Sequence, residues 1–230
     1  MANAPAFVIN RDALGSQVAA ALREAIAAGQ YARGERLIEA ELAEAYGVSR
    51  GPIRDAFRIL QLEGLVESQQ RGVTVIGIDQ DAISELYSLR GALEGLAVRL
   101  AVRRGPQEGF SELRRYVDGM QAAADVNDAA AFAQADIAFH NAICLLSGHK
   151  RLTDVWQQYE AVMMTLLRLT ISLDQNLHAS TDKHRKLLNL IEAGDPDPAE
   201  AELAIHLDGS RERMVKVWER ALQRHRGTPA

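Results

Sequence analysis

Cys144 is the only cysteine in 230 residues, so no intramolecular disulfide can form, and a reducing cytosol is the natural setting. Aromatic residues are scarce at 5%, while the 47% hydrophobic content is rich in Ala and Leu, which favours helix packed on helix over sheet. Positive charge is not in excess. A net charge of −5 excludes a polyanion binder that works by bulk charge, so any contact with nucleic acid must come from one basic face. Long hydrophobic runs are also missing. The most apolar stretch, AVMMTLLRLTISL, is too short to span a bilayer and is interrupted by Arg168. The opening MANAPAFVINRDALG lacks a positive start followed by an apolar run and does not read as a signal peptide. A soluble cytoplasmic protein with no membrane association is expected.

The periodicity changes near residue 78. Before it, Leu14, Val18, Leu22 and Ile26 recur every four residues, one face of a helix ending at Gly29. EAELAEAYG is a second short helix with Leu42 inward and Gly47 as its stop. Ser49 is a good N-cap for a third, RGPIRDAFRILQLEG, with Pro52 in its first turn, Ile53, Phe57 and Leu60 as the buried stripe and Gly64 as its end. LVES and VTVI then read as strands joined by the polar tip QQRG. Helix, helix, tight turn, helix, hairpin is the order of a winged helix-turn-helix. Arg50, Arg54 and Arg58 form one stripe at i, i+4 and i+8 on the third helix, and Arg71 lies in the hairpin tip. A helix fits the major groove, where arginine donates two hydrogen bonds to guanine. Three arginines on a helix are also an ordinary solvated face, with Asp55 and Glu63 available as partners.

GERLIEAELAEAYGVSRGPIRDAFRILQLEGLVESQQRGVTV resembles the DNA-binding domain of GntR-type bacterial transcription regulators, over roughly residues 12 to 76. The resemblance implies operator contacts from Arg50 and Arg54, with Gly72 at the wing tip near the DNA backbone or minor groove; Ser49, Arg58 and Arg71 complete the expected DNA-binding set. The chain departs from the family pattern with Arg33 where proline is preferred, Gly51 where a hydroxyl residue is common, and Asp55 and Phe57 for glutamate and leucine. These departures bear on which operator is read.

Beyond a short linker, GIDQ at 77–80, the second domain (81–230) shows only helical periods. Leu86, Leu89, Leu93, Leu96 and Leu100 mark the buried stripe of a long amphipathic helix. Pro106 sits near the first turn of the next. VNDAAAFAQADIAFHNAICLLSG starts at an Asn or Asp cap and stops at Gly148. LTDVWQQYEAVMMTLLRLTISL follows. STDKHRKLLNLIEAG opens on Ser180 or Thr181 and ends at Gly194, and the last helix has Asp197 as N-cap with Pro198 and Glu200 in a capping box. Six helices with short connections form an antiparallel bundle by default, so the fold class is mainly α: a winged helix-turn-helix followed by an all-helical bundle.

In ADIAFHNAI, Asp136 and His140 leave one helical face a turn apart, while His184 and His206 occupy inward positions on later helices. A buried carboxylate needs a partner. One carboxylate and three imidazoles suit a divalent ion such as Zn, Ni or Mn. Spacing leaves this open, because a histidine on an apolar face is commonly a hydrogen-bonded core residue and an Asp–His pair at i, i+4 is commonly an ion pair.

Residues 81 to 222 resemble the all-helical FCD ligand-sensing domain of the FadR-type branch of this family, through LRGALEGLAVRLA, ADIAFHNAI, STDKHRKLLNLIEAGD and AELAIHL. The resemblance implies that Asp136, His140, His184 and His206 bind the metal. Lys183 stands where glutamate is common and His149 where asparagine is frequent, the latter at the pocket edge. The implied effector is a small organic or sugar acid, its oxygens on the metal and its other end clamped by an arginine. Arg90 matches a position that often faces the pocket. Arg168 is a second candidate, with an ion pair to Glu94 as its alternative role. His178 reads as a loop residue and Cys144 as core packing. Together these describe a dimeric, ligand-responsive regulator, a repressor of a catabolic operon that binds a short palindrome. A helical metal-dependent hydrolase or lyase is the rival reading, against which stand the missing H-E-x-x-H element and the lack of a spare carboxylate as general base. In a third reading the second domain only dimerises and its histidines are core residues.

Overall fold

A computed structural model describes residues 11–104, 109–171 and 176–226, and the chain divides into two compact units, Met1–Ile78 and Asp79–Ala230. The first unit comprises α1 (Arg11–Ala27), β1 (Arg36–Leu37), α2 (Glu39–Ala45), α3 (Arg50–Leu62), β2 (Val66–Ser68) and β3 (Val73–Val75). α1 packs along α3, burying Val18, Leu22 and Ile26 in the same core as Ile53, Phe57 and Leu60. Leu14, expected in that stripe, is exposed. The close approach of the two helices depends on Gly15, where a Cβ would sit 2.8 Å from the Cβ of Asp55.

The sheet has three strands in the order β1-β3-β2, both pairs antiparallel. The sequence reading missed β1, because its two residues are too short to show alternation. β1 explains Gly72. At φ +90° the position is one that L side chains rarely adopt, and a Cβ there would lie 2.0 Å from the Leu37 carbonyl oxygen.

The second unit is a bundle of α4 (Gln80–Arg103), α5 (Gly109–Asp125), α6 (Ala129–Leu146), α7 (Lys150–Ile171), α8 (Leu177–Ala193) and α9 (Pro196–Arg226). α6 packs on α4, α5 and α7, and α9 packs on α4, α7 and α8. Among the described residues, α6 is long and apolar enough to cross a membrane by length and composition. Half of it is buried, and it carries Asp136 and His140, as a core helix does.

Several boundaries differ from expectation. Asp79 and Gln80 belong to α4, not to a linker, since the Asp79 carboxylate accepts from the Ala82 amide at 2.8 Å. α8 begins three residues before Ser180, because Asn176 caps it by accepting from Ala179 at 3.0 Å. α9 begins at Pro196, with the Asp195 carboxylate accepting from the Asp197 amide at 3.1 Å; Asp197 is therefore helical, and Glu200 instead bonds Arg99. Pro106 lies outside the described residues.

The largest correction concerns α4. Its buried row is Ile83, Tyr87, Arg90, Glu94, Ala97 and Ala101. The leucines expected to face the core do not: Leu86, Leu89, Leu93 and Leu100 are half-buried and Leu96 is 44% exposed. Hydrophobicity alone selected the wrong row, because the true inward row carries the ionic pair Arg90–Glu94.

Candidate nucleic-acid interface and metal centre

Ser49 holds the N-cap position of α3 in extended backbone, and its hydroxyl makes no capping bond. From there Arg50, Arg54 and Arg58 project along one stripe beside the buried row of Ile53, Phe57 and Leu60, and all three are exposed. With Arg71 and Gly72 they line one concave face of about 680 Å³ between α3 and the β2–β3 tip. Arg36, which the sequence reading did not single out, braces that tip by donating from Nε and Nη2 to the Arg71 carbonyl at 3.1 and 2.9 Å. The acidic neighbours are arranged differently from expectation. Glu63 turns inward to a buried two-bond pair with Arg23 on α1, at 2.8 and 2.6 Å. Arg54 instead pairs with Glu39, at the start of α2, at 3.3 Å. The arginines thus form a concentrated cationic surface on a rigid helix, the arrangement a major groove requires.

In the second unit, α6 contributes Asp136 and His140, α8 His184, and α9 His206. The ligand nitrogens of the three histidines lie within 4.8 Å of one another. Asp136 faces the same group, with oxygens 3.6 Å from His140 Nε2 and 3.3 Å from His184 Nε2. All four residues are buried. The other ring nitrogens fix the tautomers: His184 Nδ1–H donates to the Ser180 carbonyl at 2.8 Å, and His140 Nδ1–H donates to Glu94. What remains is His140 Nε2, His184 Nε2 and His206 Nδ1, each buried without a hydrogen-bond partner. Three orphaned imidazole nitrogens converging beside a carboxylate fit a divalent ion, because a metal satisfies all of them at once and a packed core would satisfy none.

The electrostatics agree. Burial lowers the His140 pKa, aided by Arg90 and opposed by Glu94 and Asp136, so the ring stays neutral. Burial drives His206 well below the ordinary histidine value, helped by His184, His140 and Arg90. Burial alone would raise the Asp136 carboxyl, but His184, His140 and Arg90 outweigh it and hold it at about 2. Burial opposes ionisation of Glu94 as well, yet Arg90 and His140 keep its pKa below the usual carboxylate value. Neutral imidazoles and an ionised carboxylate are the states that ligate metals.

Two residues that the sequence reading underrated surround Arg90. Glu94, fully buried, accepts from both Arg90 and His140. Trp156 on α7 sets its ring 5.7 Å from the Arg90 guanidinium, whose other neighbour is the Tyr87 ring at 5.6 Å. The Arg–Glu pair at i, i+4 beside the D-x-x-x-H element was the available signal for Glu94; nothing in the local sequence marked Trp156. Arg168 does not join them. It is exposed in the last turn of α7, because Leu166, Leu167 and Thr170 take the inward positions, and the carboxylate assigned to it, Glu94, is bonded elsewhere. His149 is exposed and caps α7, its Nδ1 accepting from the Leu152 amide at 3.2 Å. His178 is helical rather than in a loop, exposed in the first turn of α8, with Nδ1 3.0 Å from Gln121 Nε2. Lys183 is exposed, and Cys144 is core packing, as expected.

Two family models match the chain: bacterial regulatory proteins of the gntR family over residues 14–76, and the FCD domain over residues 85–209. The chain belongs to the GntR family, with an FCD domain. It is 32% identical over 200 residues to a probable D-xylose utilization operon transcriptional repressor of Paenarthrobacter nicotinovorans, covering 86% of this chain and 88% of that protein. It is 26% identical over 219 residues to the gluconate operon transcriptional repressor of Bacillus subtilis, covering 93% and 90%. The solved structure of E. coli McbR/YncC shares the fold at a TM-score of 0.68 and 24% identity, covering 88% of this chain and 97% of that one. As a GntR-family protein with an FCD domain, the chain is a ligand-responsive, DNA-binding transcription regulator and not a hydrolase or lyase. FCD domains bind metal ions in some members, and this GntR-family chain brings together three histidines that could hold one.

Proposed function

We propose that the protein is a dimeric repressor of a catabolic operon, released from its operator by a small organic or sugar acid bound at a divalent metal held by Asp136, His140, His184 and His206. The observation that carries this reading is the set of three unpartnered, buried imidazole nitrogens facing one another beside Asp136. The metal, of the Zn, Ni or Mn class, supplies Lewis acidity toward an effector's carboxylate oxygens. The chain supplies the rest: Glu94 orients His140, the Ser180 carbonyl orients His184, and the buried Arg90 guanidinium acts electrostatically on Asp136 and His140. Repression of sugar-utilisation operons by the similar proteins directs attention to sugar acids.

On the DNA side, Arg50, Arg54 and Arg58 are assigned to the major groove, Ser49 to a phosphate at the helix start, and Arg71 with Gly72 to the wing contact. Two copies would address the half-sites of a short palindrome. The surface supporting a dimer is the α4 leucine row, whose 3-4-3-4 spacing from Leu86 to Leu100 is that of a coiled-coil seam and whose side chains the chain's own core leaves half-exposed. Release follows if the effector binds more tightly to the arrangement of the dimer that cannot span both half-sites. An operator such as this lies in the bacterial cytoplasm.

The test is a thermal-shift screen of organic and sugar acids with and without chelator, paired with metal analysis of protein purified without an affinity tag. An acid whose stabilisation disappears on chelation, and which also dissociates the protein from DNA upstream of its neighbouring gene, is the expected result. Stoichiometric metal with no acid-dependent response would reject the effector half of the proposal, and protein without metal after growth in metal-replete medium would reject the centre itself.

A further inference from the structure

The hairpin tip that carries Arg71 lies beyond the strands of the sheet. β2 ends at Ser68 and β3 begins at Val73, and a backbone bond from the Gln69 amide to the Gly72 carbonyl, at 3.1 Å, closes the tip. β1 reaches no further, with Leu37 opposite Val73 and Arg36 opposite Thr74. Arg71 is exposed and lines the concave face together with Arg50, Arg54 and Arg58. An exposed side chain on a short tip loses conformational freedom when it grips DNA, and a contact that fixes the tip beforehand lowers that cost.

Arg36 is such a contact. Leu37 takes the buried side of β1, so Arg36 leaves from the exposed side and reaches along β3 to the tip. Its Nε and Nη2 both donate to the Arg71 carbonyl, at 3.1 and 2.9 Å. Two donors on one planar edge hold a peptide in one orientation, where the single head of a lysine would let it turn. The Leu37 carbonyl lies against Gly72, where a Cβ would come within 2.0 Å of it. Consecutive residues of β1 thus hold both sides of the Arg71–Gly72 peptide.

The same strand leads directly into α2. Ile38 occupies its N-cap position, and Glu39, the first residue of α2, pairs with Arg54 of α3 at 3.3 Å. Four successive residues, Arg36 to Glu39, therefore touch the hairpin tip at one end and the arginine stripe of α3 at the other.

Resting on the reading that Arg71 and Gly72 make the wing contact, we infer that Arg36 is a positioning residue for DNA binding, which acts through the Arg71 carbonyl to hold the Arg71 side chain in place relative to Arg54. Arg36 does this without touching DNA. Its bonds are exposed and add little to the stability of the fold. Their effect falls on the readiness of the wing, because a phosphate or groove edge then meets an arginine that is already in position.

Fluorescence anisotropy of the full-length protein, on a labelled duplex from the DNA upstream of its neighbouring gene, tests this in a double-mutant cycle. Arg36→Met should weaken binding about fivefold in the parent and less than twofold when Arg71 is already alanine, since the side chain being placed is then gone. Arg36→Lys keeps the charge but loses the fork, and should fall most of the way to Arg36→Met. A role confined to the fold, or a direct contact of Arg36 with phosphate, predicts the same loss in both backgrounds, and that result overturns the inference. Parent-like binding by Arg36→Met or by Arg36→Lys overturns it as well, the latter in favour of charge alone. Parent-like binding by Arg71→Ala overturns the wing assignment beneath it, an outcome distinct from the others.

Discussion

His140 donates its Nδ1 hydrogen to Glu94 and keeps Nε2 bare toward His184, His206 and Asp136. A carboxylate on α4 thereby decides which nitrogen of a ring on α6 is a lone pair. Outer partners of this kind orient metal-binding histidines and raise their basicity. Glu94→Gln keeps an acceptor for the ring and should lower metal affinity modestly. Glu94→Leu removes the acceptor and strands Arg90, and should weaken metal binding by about 10–100-fold while destabilising the fold by about 3–5 kcal/mol. Competition against a chromogenic chelator and urea denaturation measure the two effects, and equal metal affinity in both variants would remove Glu94 from the centre.

Arg54→Ala should reduce specific operator binding by about 1–3 kcal/mol per half-site, read in a shift assay with specific and scrambled duplexes, with the oligomeric state unchanged. Glu39→Gln releases the carboxylate 3.3 Å from Arg54 and should relax discrimination between operator variants more than it changes non-specific affinity. Identical losses on both duplexes would place Arg54 on phosphates.

Gly72→Ala should destabilise the winged unit by at least about 1–3 kcal/mol, because the new methyl would strike the Leu37 carbonyl and the backbone has a positive φ. Thermal denaturation followed by circular dichroism checks this. A neutral outcome would mean that β1 and β3 separate easily.

Leu93→Glu and Leu96→Glu should convert a dimer to monomer in light scattering without lowering the helical signal, since neither side chain is in the core of its own chain. A dimer that persists in the double variant would move the interface elsewhere.

The stability of metal-stripped protein should fall as pH drops below about 6.5, the ordinary histidine value. The folded pKa values of His140 and His206 lie below it, so the unfolded chain takes up protons that the folded chain cannot. The stabilisation is complete above that pH and is lost on the acid side. Melting temperatures between pH 8 and 5 measure it, and a flat profile would contradict neutral burial. Metal-loaded protein should lose its ion over the same window.

How far the sequence foretold this molecule depended on the kind of pattern involved. Hydrophobic period and stop residues were enough for α1, α3 and the six helices after residue 78, because Gly64 and Gly194 end helices by local chemistry. Asp136, His140, His184 and His206 were found through a resemblance of motifs, and the structure brings them within reach of one another. β1 was too short to carry a period. On α4 the leucine row outshone the true inward row, since a buried Arg90–Glu94 pair looks polar until its partners on other helices are known. Trp156 was invisible for the same reason: its role depends on Arg90, sixty-six positions away, and only tertiary packing brings them together.

α4 is one continuous rod of 24 residues. Arg90 and Glu94 are on one of its sides and the leucine row on another. A rod cannot roll on one side only. If an occupant draws the guanidinium toward itself and turns the rod by about 10°, the leucines, at a radius of about 5 Å, sweep through about 1 Å. Such a helix would act as an axle, carrying a pull on Arg90 across to a surface that the occupant never touches.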